Sequence, residues 1–458
     1  MRWAVTLAVI LAAALVARLA WTWWTDPTPP ELSDPQYYNA TALSLARGEG
    51  YSVTFHRDVG FLPGGEETAF WPPGYSAYLA TFYWLFGKGD EVAQAANVVA
   101  GALVVVPIYF IGLRLFGRRI ALVAAAAAAL LPSLVYWVPV LFSDTLFTLL
   151  FAMVAALLLH ALRQDGTFSL ALLAAGGVVL GLAMLVRGQA LVLVPVVAVY
   201  WAVAGAKPAK CLLSGGACLA LAAAVVVPWS VRNTAAMGSP ILLSANVGYN
   251  LRVGHAPYST GRYILPDDLW NSRSERTTFR ELEPVFNDLG LERATEYALG
   301  HPLEEAELAV RKTLWLWAPD SDALDWVESY GRTPLPAGAV GPLRWLVDGS
   351  YAVLLWLVGC AFVRARAFAP QLSLLAALVV LWTATHIVFF GEPRYHLPAL
   401  ALMIPVAAAP LVWLWEAAIS QLSPRRAEQR AFVPADIIEG EDREADTDGK
   451  NVSYSRAD

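Results

Sequence analysis

Charge is scarce in this chain. Only 15% of its 458 residues are Asp, Glu, Lys or Arg, against about 25% in an ordinary globular domain. Such a chain cannot clothe a soluble body of this size in ionised side chains. Cysteine is scarcer still. Cys211, Cys218 and Cys360 lie inside apolar blocks, which excludes a disulfide framework and offers no metal-binding spacing. Basic clusters interleaved with aromatics are missing, so nucleic acid is not an expected partner. There is no Walker loop, no GxSxG elbow and no HExxH. No internal repeat is visible.

What is present is apolar sequence. Hydrophobic residues make up 57% of the chain, in unbroken blocks that approach the roughly 20 residues needed to cross a bilayer. The expected fold is an all-α polytopic membrane protein of about ten spans. These are placed at 3–24, 91–113, 119–137, 141–162, 168–186, 188–205, 209–229, 344–363, 370–389 and 396–416. The first block ends in WTWWT rather than at a small-residue cleavage site, and reads as an uncleaved signal anchor.

Basic residues fix the expected orientation. With the N-terminus cytoplasmic, the inner connections hold Arg114, Arg118, Arg119, Arg163, Lys207, Lys210, Arg364, Arg366, Arg425 and Arg426. Two long segments then face outward. In 25–90, Asp34-Pro35 suits the start of a helix, with Asp34 as N-cap, and 75–87 suits an interfacial helix. Segment 230–343 is expected to be largely helical, above all over 278–315, with Trp315 and Trp317 at the membrane surface. Four parts result: a transmembrane module 1–229, the external segment 230–343, C-terminal spans 344–416, and an acidic tail 417–458 read as cytoplasmic and disordered.

Ionised groups at membrane edges are costly and call for a reason. Asp34 and Asp144 are carboxylates near the outer surface, where partial burial makes a usable base; the plain alternative for each is a helix cap. Asp58 reads more simply as a loop charge. Tyr37 and Tyr38, one turn past Asp34, could shape a sugar site. Arg187, Arg232 and Arg394 fall on the outer side against the trend of the other bases. Each alone could be snorkelling; together they suit a shared phosphate, which guanidinium groups bind bidentately. His255 and His396 do not make a metal site.

The order SDPQYYNATALSLARGEGY, WPPGYSAYLATFYWLFG, NVVAGALVVVPIYFIGLRLFGRRIAL, LFSDTLF, RGQALVLVP, PWSVRNTAAMGSPILLSANVGYNLRVGHAP and GEPRYHLPAL resembles the polytopic GT-C glycosyltransferases. The similarity is to the bacterial dolichyl-phosphate-mannose protein mannosyltransferase and aminoarabinose transferase group, and it spans most of 1–416. It implies a membrane transferase moving a sugar from a polyprenyl-phosphate donor to a lipid, glycan or protein acceptor on the external face of the cell membrane, usually with inversion. It implies Asp34 as general base and Asp144 as a second, assisting acid. Tyr37, Tyr38, Asp58, Pro73, Tyr75, Arg187, Arg232, Asn246, Arg394 and Tyr395 are the substrate-binding candidates it leaves. No metal ligand is assigned, and a divalent cation stays an open requirement. Phe70-Trp71 replaces the charged pair of the aminoarabinose branch. The competing readings are a polyprenyl-lipid transporter or flippase, and an inert scaffold.

Overall fold

The computed structural model describes residues 2–56, 58–270, 278–364 and 367–422. Arg366, Arg425, Arg426 and the tail beyond Leu422 lie outside them. The chain divides into two compact units, Met1–Pro410 and Leu411–Asp458. The first holds every candidate site residue.

The chain is an all-α polytopic membrane protein with one small sheet. Among the described residues, seven helices are long and apolar enough to cross a bilayer: Trp3–Thr25, Asp90–Phe116, Asp144–Ala161, Pro208–Met237, Ala337–Ala361, Ala369–Val388 and Pro393–Ile419. Two shorter apolar helices, Leu170–Val186 and Gly188–Val203, lie among them. Helix Leu170–Val186 packs against Pro208–Met237 and Asp144–Ala161, and Leu193–Val203 packs against Ala369–Val388. Val5, Val9, Leu212, Leu213 and Val380 remain exposed, as befits side chains whose solvent is lipid.

The span expected over 119–137 is broken into Arg118–Leu130 and Pro132–Tyr136. Proline drives its predecessor out of the helical region, and Leu131 is extended at φ −61, ψ 118. The carbonyls freed at that break need donors. Arg18, wholly buried in the first span, donates from Nη1 to the Ala129 carbonyl at 2.9 Å and from Nη2 to the Ala128 carbonyl at 3.1 Å.

In the loop after the first span, a helix occupies Asp34–Ala46 and a second Gly74–Phe86. Between them lies an antiparallel sheet ordered β2-β1-β3, with β1 Ser52–His56, β2 Gly60–Pro63 and β3 Glu66–Glu67. The sequence reading had only loop and helix there, because Pro, Gly and acidic residues interrupt the strands. Segment 230–343 is helical over Val247–Gly254, Phe279–Gly300, Pro302–Leu316 and Asp322–Tyr330. A capping box between Thr278 and Glu281 starts the second of these. The stretch expected to be helical over 278–315 is two helices, divided at His301-Pro302.

Candidate functional site

The expected N-cap role of Asp34 belongs instead to Ser33. Its side chain accepts from the Gln36 N–H at 3.3 Å, and Asp34 is the first helical residue. The consequence is chemical. The Asp34 carboxylate is not used for capping, and no described residue hydrogen-bonds it. It faces a cavity of about 710 Å³ with its side chain 34% exposed.

Three backbone irregularities bring charge to the same place. Helix Leu170–Val186 stops at Arg187, which is extended at φ −152, and a 3-10 turn follows over Gly188–Val192. Arg394 sits on a second 3-10 turn, Pro393–His396. Asp144 opens its own helix after Ser143, at the end where a helix favours negative charge. Arg187 Nη2 donates to Asp144 Oδ2 at 2.6 Å, and Arg187 Nε donates to Ser143 Oγ at 3.0 Å. Arg394 lies between the acids, with Nη2 4.0 Å from Asp34 Oδ2 and Nη1 3.9 Å from Asp144 Oδ2. Its guanidinium stacks 3.8 Å from the Phe142 ring centroid. Arg187 lies 5.2 Å from the Tyr395 ring.

Burial raises the Asp34 pKa above the ordinary carboxylate value. Arg394 and Arg187 oppose that rise, and Asp144 adds to it. The Tyr38 phenol is pushed up as well, by burial first and by the Asp34 charge second.

Of the sequence candidates, Asp34, Tyr38, Arg187, Asn246, Arg394 and Tyr395 line this one cavity. Asp144 lies behind it, fully buried, with Oδ1 unpartnered. The others stand elsewhere. Tyr37 is buried with its hydroxyl 2.7 Å from Thr68 Oγ1. Asp58 is exposed beside the β1–β2 turn. Pro73 precedes helix Gly74–Phe86, and the buried Tyr75 donates to Asn97 Oδ1 at 3.0 Å. Asn97 in turn donates to the carbonyls of Val138 and Val140, each at 3.1 Å, which fixes the approach to Asp144. Arg232 binds backbone, donating to the carbonyls of Thr68 at 2.5 Å and Tyr51 at 2.9 Å, and so ties the first loop to helix Pro208–Met237.

Several wall residues carry no signal in the sequence. Tyr249, Asn250 and Tyr263 of the 230–343 segment, with His386 and Phe390, line the cavity. Aromatics number 53 in this chain (18 Trp, 17 Tyr, 18 Phe), so none stood out without the fold. Glu283 was also missed. It is buried, accepts from the Thr68 hydroxyl and from the Ala69 N–H at 2.7 Å, and burial pushes its carboxyl up to about 8. It holds helix Phe279–Gly300 to the first loop.

The cavity lining also includes the aliphatic side chains of Leu191, Val192, Val194, Pro195, Leu219 and Leu243. One cavity therefore joins a free carboxylate and two guanidiniums to an apolar surface. For cations the fit is poor. Arg187 and Arg394 stand against the two acids, and among the described residues no three His, Cys, Asp or Glu side chains gather. His255 is 2.7 Å from Glu305, and His396 is 3.0 Å from the buried Asp320, both away from the cavity lining.

The family described as dolichyl-phosphate-mannose-protein mannosyltransferase matches residues 71–231. No curated protein gives a match. Among solved structures, the Archaeoglobus fulgidus oligosaccharyltransferase AglB, in complex with an inhibitory peptide and a dolichol-phosphate, matches at TM-score 0.55 and 15% identity, over 94% of this chain and 52% of that one. The same enzyme in complex with Zn and sulfate matches at TM-score 0.53 and 15% identity, over 94% and 51%. ArnT from Cupriavidus metallidurans bound to undecaprenyl phosphate matches at TM-score 0.41 and 15% identity, over 93% and 80%. The chain spans about half the length of the oligosaccharyltransferase. In fold, the chain is similar to the oligosaccharyltransferase over most of its own length.

Proposed function

We propose that this protein is a membrane glycosyltransferase that moves a sugar from a polyprenyl-phosphate donor to an acceptor hydroxyl. The observation that carries the reading is one cavity lined both by Asp34, Arg187 and Arg394 and by the aliphatic Leu191, Val192, Val194, Pro195, Leu219 and Leu243. A polyprenyl-phosphate sugar has the same division, a charged head on an apolar chain. The cavity volume falls within the roughly 300–1,000 Å³ usual for ligand sites.

In this reading Arg394 and Arg187 hold the donor phosphate. Arg394 is the better placed, because Arg187 already serves Asp144. Asp34 takes the proton of the acceptor hydroxyl as its oxygen attacks the anomeric carbon. The bond from that carbon to the phosphate oxygen breaks, and polyprenyl phosphate leaves with its negative charge on the two guanidiniums. Configuration inverts in one displacement. The proton on Asp34 then passes to water. Raising the Asp34 pKa makes the carboxylate a stronger base, and the phosphate needs no general acid to depart. The acceptor is a lipid, glycan or protein hydroxyl, and Tyr249, Tyr263 and Asn250 form the wall against which it lies.

Basic residues on alternate connections support a cytoplasmic N-terminus and an external site. The cell membrane is the proposed location.

The test is transfer in proteoliposomes from labelled polyprenyl-phosphate sugars to lipid, glycan and protein fractions of the envelope. Wild type transfers label, and Asp34→Asn, folded to the same melting temperature, loses about 10²–10⁴-fold in rate. Absence of transfer to every fraction, or near wild-type turnover by Asp34→Asn, overturns the reading. Donor lipid crossing the bilayer without transfer would establish the transporter instead.

A further inference from the structure

No described residue hydrogen-bonds the Asp34 carboxylate to aim it. Its direction depends on the backbone that enters helix Asp34–Ala46, which the Ser33 cap holds locally and Gln36 ties to the neighbouring hairpin. Gln36 Oε1 accepts from the N–H of Leu32 at 2.9 Å and from the N–H of Phe61 at 3.1 Å. Gln36 Nε2 donates to the Val59 carbonyl at 2.7 Å. A single amide thus joins the residue two before Asp34 to both sides of Gly60 in the β1–β2 hairpin.

Leu32 has φ +55, in the left-handed region where a Cβ crowds the carbonyl oxygen. A leucine keeps that conformation only when its surroundings impose it. The Gln36 acceptor is the group that engages its N–H. Gly60 completes the arrangement. It has φ +77, and a Cβ there would stand 2.1 Å from Gln36 Oε1 and 2.8 Å from Leu32 N. The hairpin can reach Gln36 only because this position lacks a side chain. Leu32, Asp34 and Phe61 all line the cavity, so the locked turn is part of its wall.

We propose that Gln36 is a positioning residue for Asp34. It holds Leu32 in the left-handed conformation and so sets the direction of the carboxylate relative to Arg394. This rests on the reading of Asp34 as the base. Gln36 is not among the cavity-lining residues; it acts through the turn.

The test uses the strain itself. Glycine adopts positive φ without strain but is not held there, so Leu32→Gly relieves the strain that the lock opposes and only that. Gln36→Ala is expected to lower kcat about 10- to 100-fold, the scale of a misplaced catalytic group, with the donor KM within about twofold. Gln36→Ala combined with Leu32→Gly recovers part of the turnover. Gln36→Ala adds nothing to Asp34→Asn. Wild-type kcat in Gln36→Ala, a loss that Leu32→Gly does not relieve, or a further loss on top of Asp34→Asn overturns the proposal. Amide hydrogen exchange reads the lock without any substrate: Gln36→Ala should speed exchange at Leu32 and Phe61. Unchanged exchange overturns the lock even if transfer is seen, whereas an inactive wild type with the expected exchange overturns only the transferase reading.

Discussion

Arg187 donates to Asp144 at 2.6 Å, and Asp144 has no exposed surface of its own. This pair is what separates the two acids in role. Asp34 is open to the cavity, with Arg394 4.0 Å away; Asp144 is sealed, with Oδ2 bound to Arg187. Asp144→Asn or Asp144→Ala should therefore lower both stability and turnover. Removing one partner of a buried pair costs about 3–5 kcal/mol, and the partial exposure of Arg187, 17% of its side chain, places the expected cost at or below the low end of that range. Thermal unfolding in detergent checks it. An Asp144→Asn protein that melts like wild type would argue against a structural share for this pair.

The rate should depend on pH through Asp34. A base works when deprotonated, and burial raises the Asp34 pKa above the model-peptide range while Arg394 pulls it down. The acid limb of kcat/KM is thus expected above pH about 4, where an unperturbed Asp titrates. Arg394→Met removes an opposing charge and should move that limb further up, besides weakening the donor. A limb that stays in place in Arg394→Met would show that Asp34 and Arg394 do not sense each other.

Chelation separates this site from a metal-dependent one. Arg187 and Arg394 supply the positive charge beside Asp34 and Asp144. Activity is expected to survive dialysis against EDTA within about twofold, since no step here draws on the charge stabilisation a metal would give. A loss restored by one divalent cation would reassign the two carboxylates as ligands.

Arg18 tests the fold rather than the chemistry. Its guanidinium satisfies the Ala128 and Ala129 carbonyls where Pro132 ends a helix. Hydrogen bonds to charged groups are worth about 1.5–3 kcal/mol, and unsatisfied buried carbonyls are costly. Arg18→Met should lower the melting temperature by several degrees, and Arg18→Lys by less. Activity per folded molecule should be unchanged, as Arg18 does not line the cavity.

The division between sequence and tertiary structure follows the range of the forces involved. Apolar blocks long enough to meet a bilayer declared the membrane fold, because burial in lipid is decided segment by segment. Asp34, Asp144, Arg187 and Arg394 were legible for the same reason: an ionised group beside an apolar block is expensive wherever the rest of the chain lies. Position alone could not separate Arg394 from Arg232. Both are arginines beside apolar blocks, yet one lines the cavity and the other spends its donors on the carbonyls of Thr68 and Tyr51. Nor could it show that Ser33 would take the cap and release Asp34, that Leu131 would break a span, or that Gln36 would reach a hairpin more than twenty residues away. Those outcomes depend on which distant backbone groups arrive within hydrogen-bond distance. Residue type sets the cost of leaving a group unpaired; only the packed chain decides its partner.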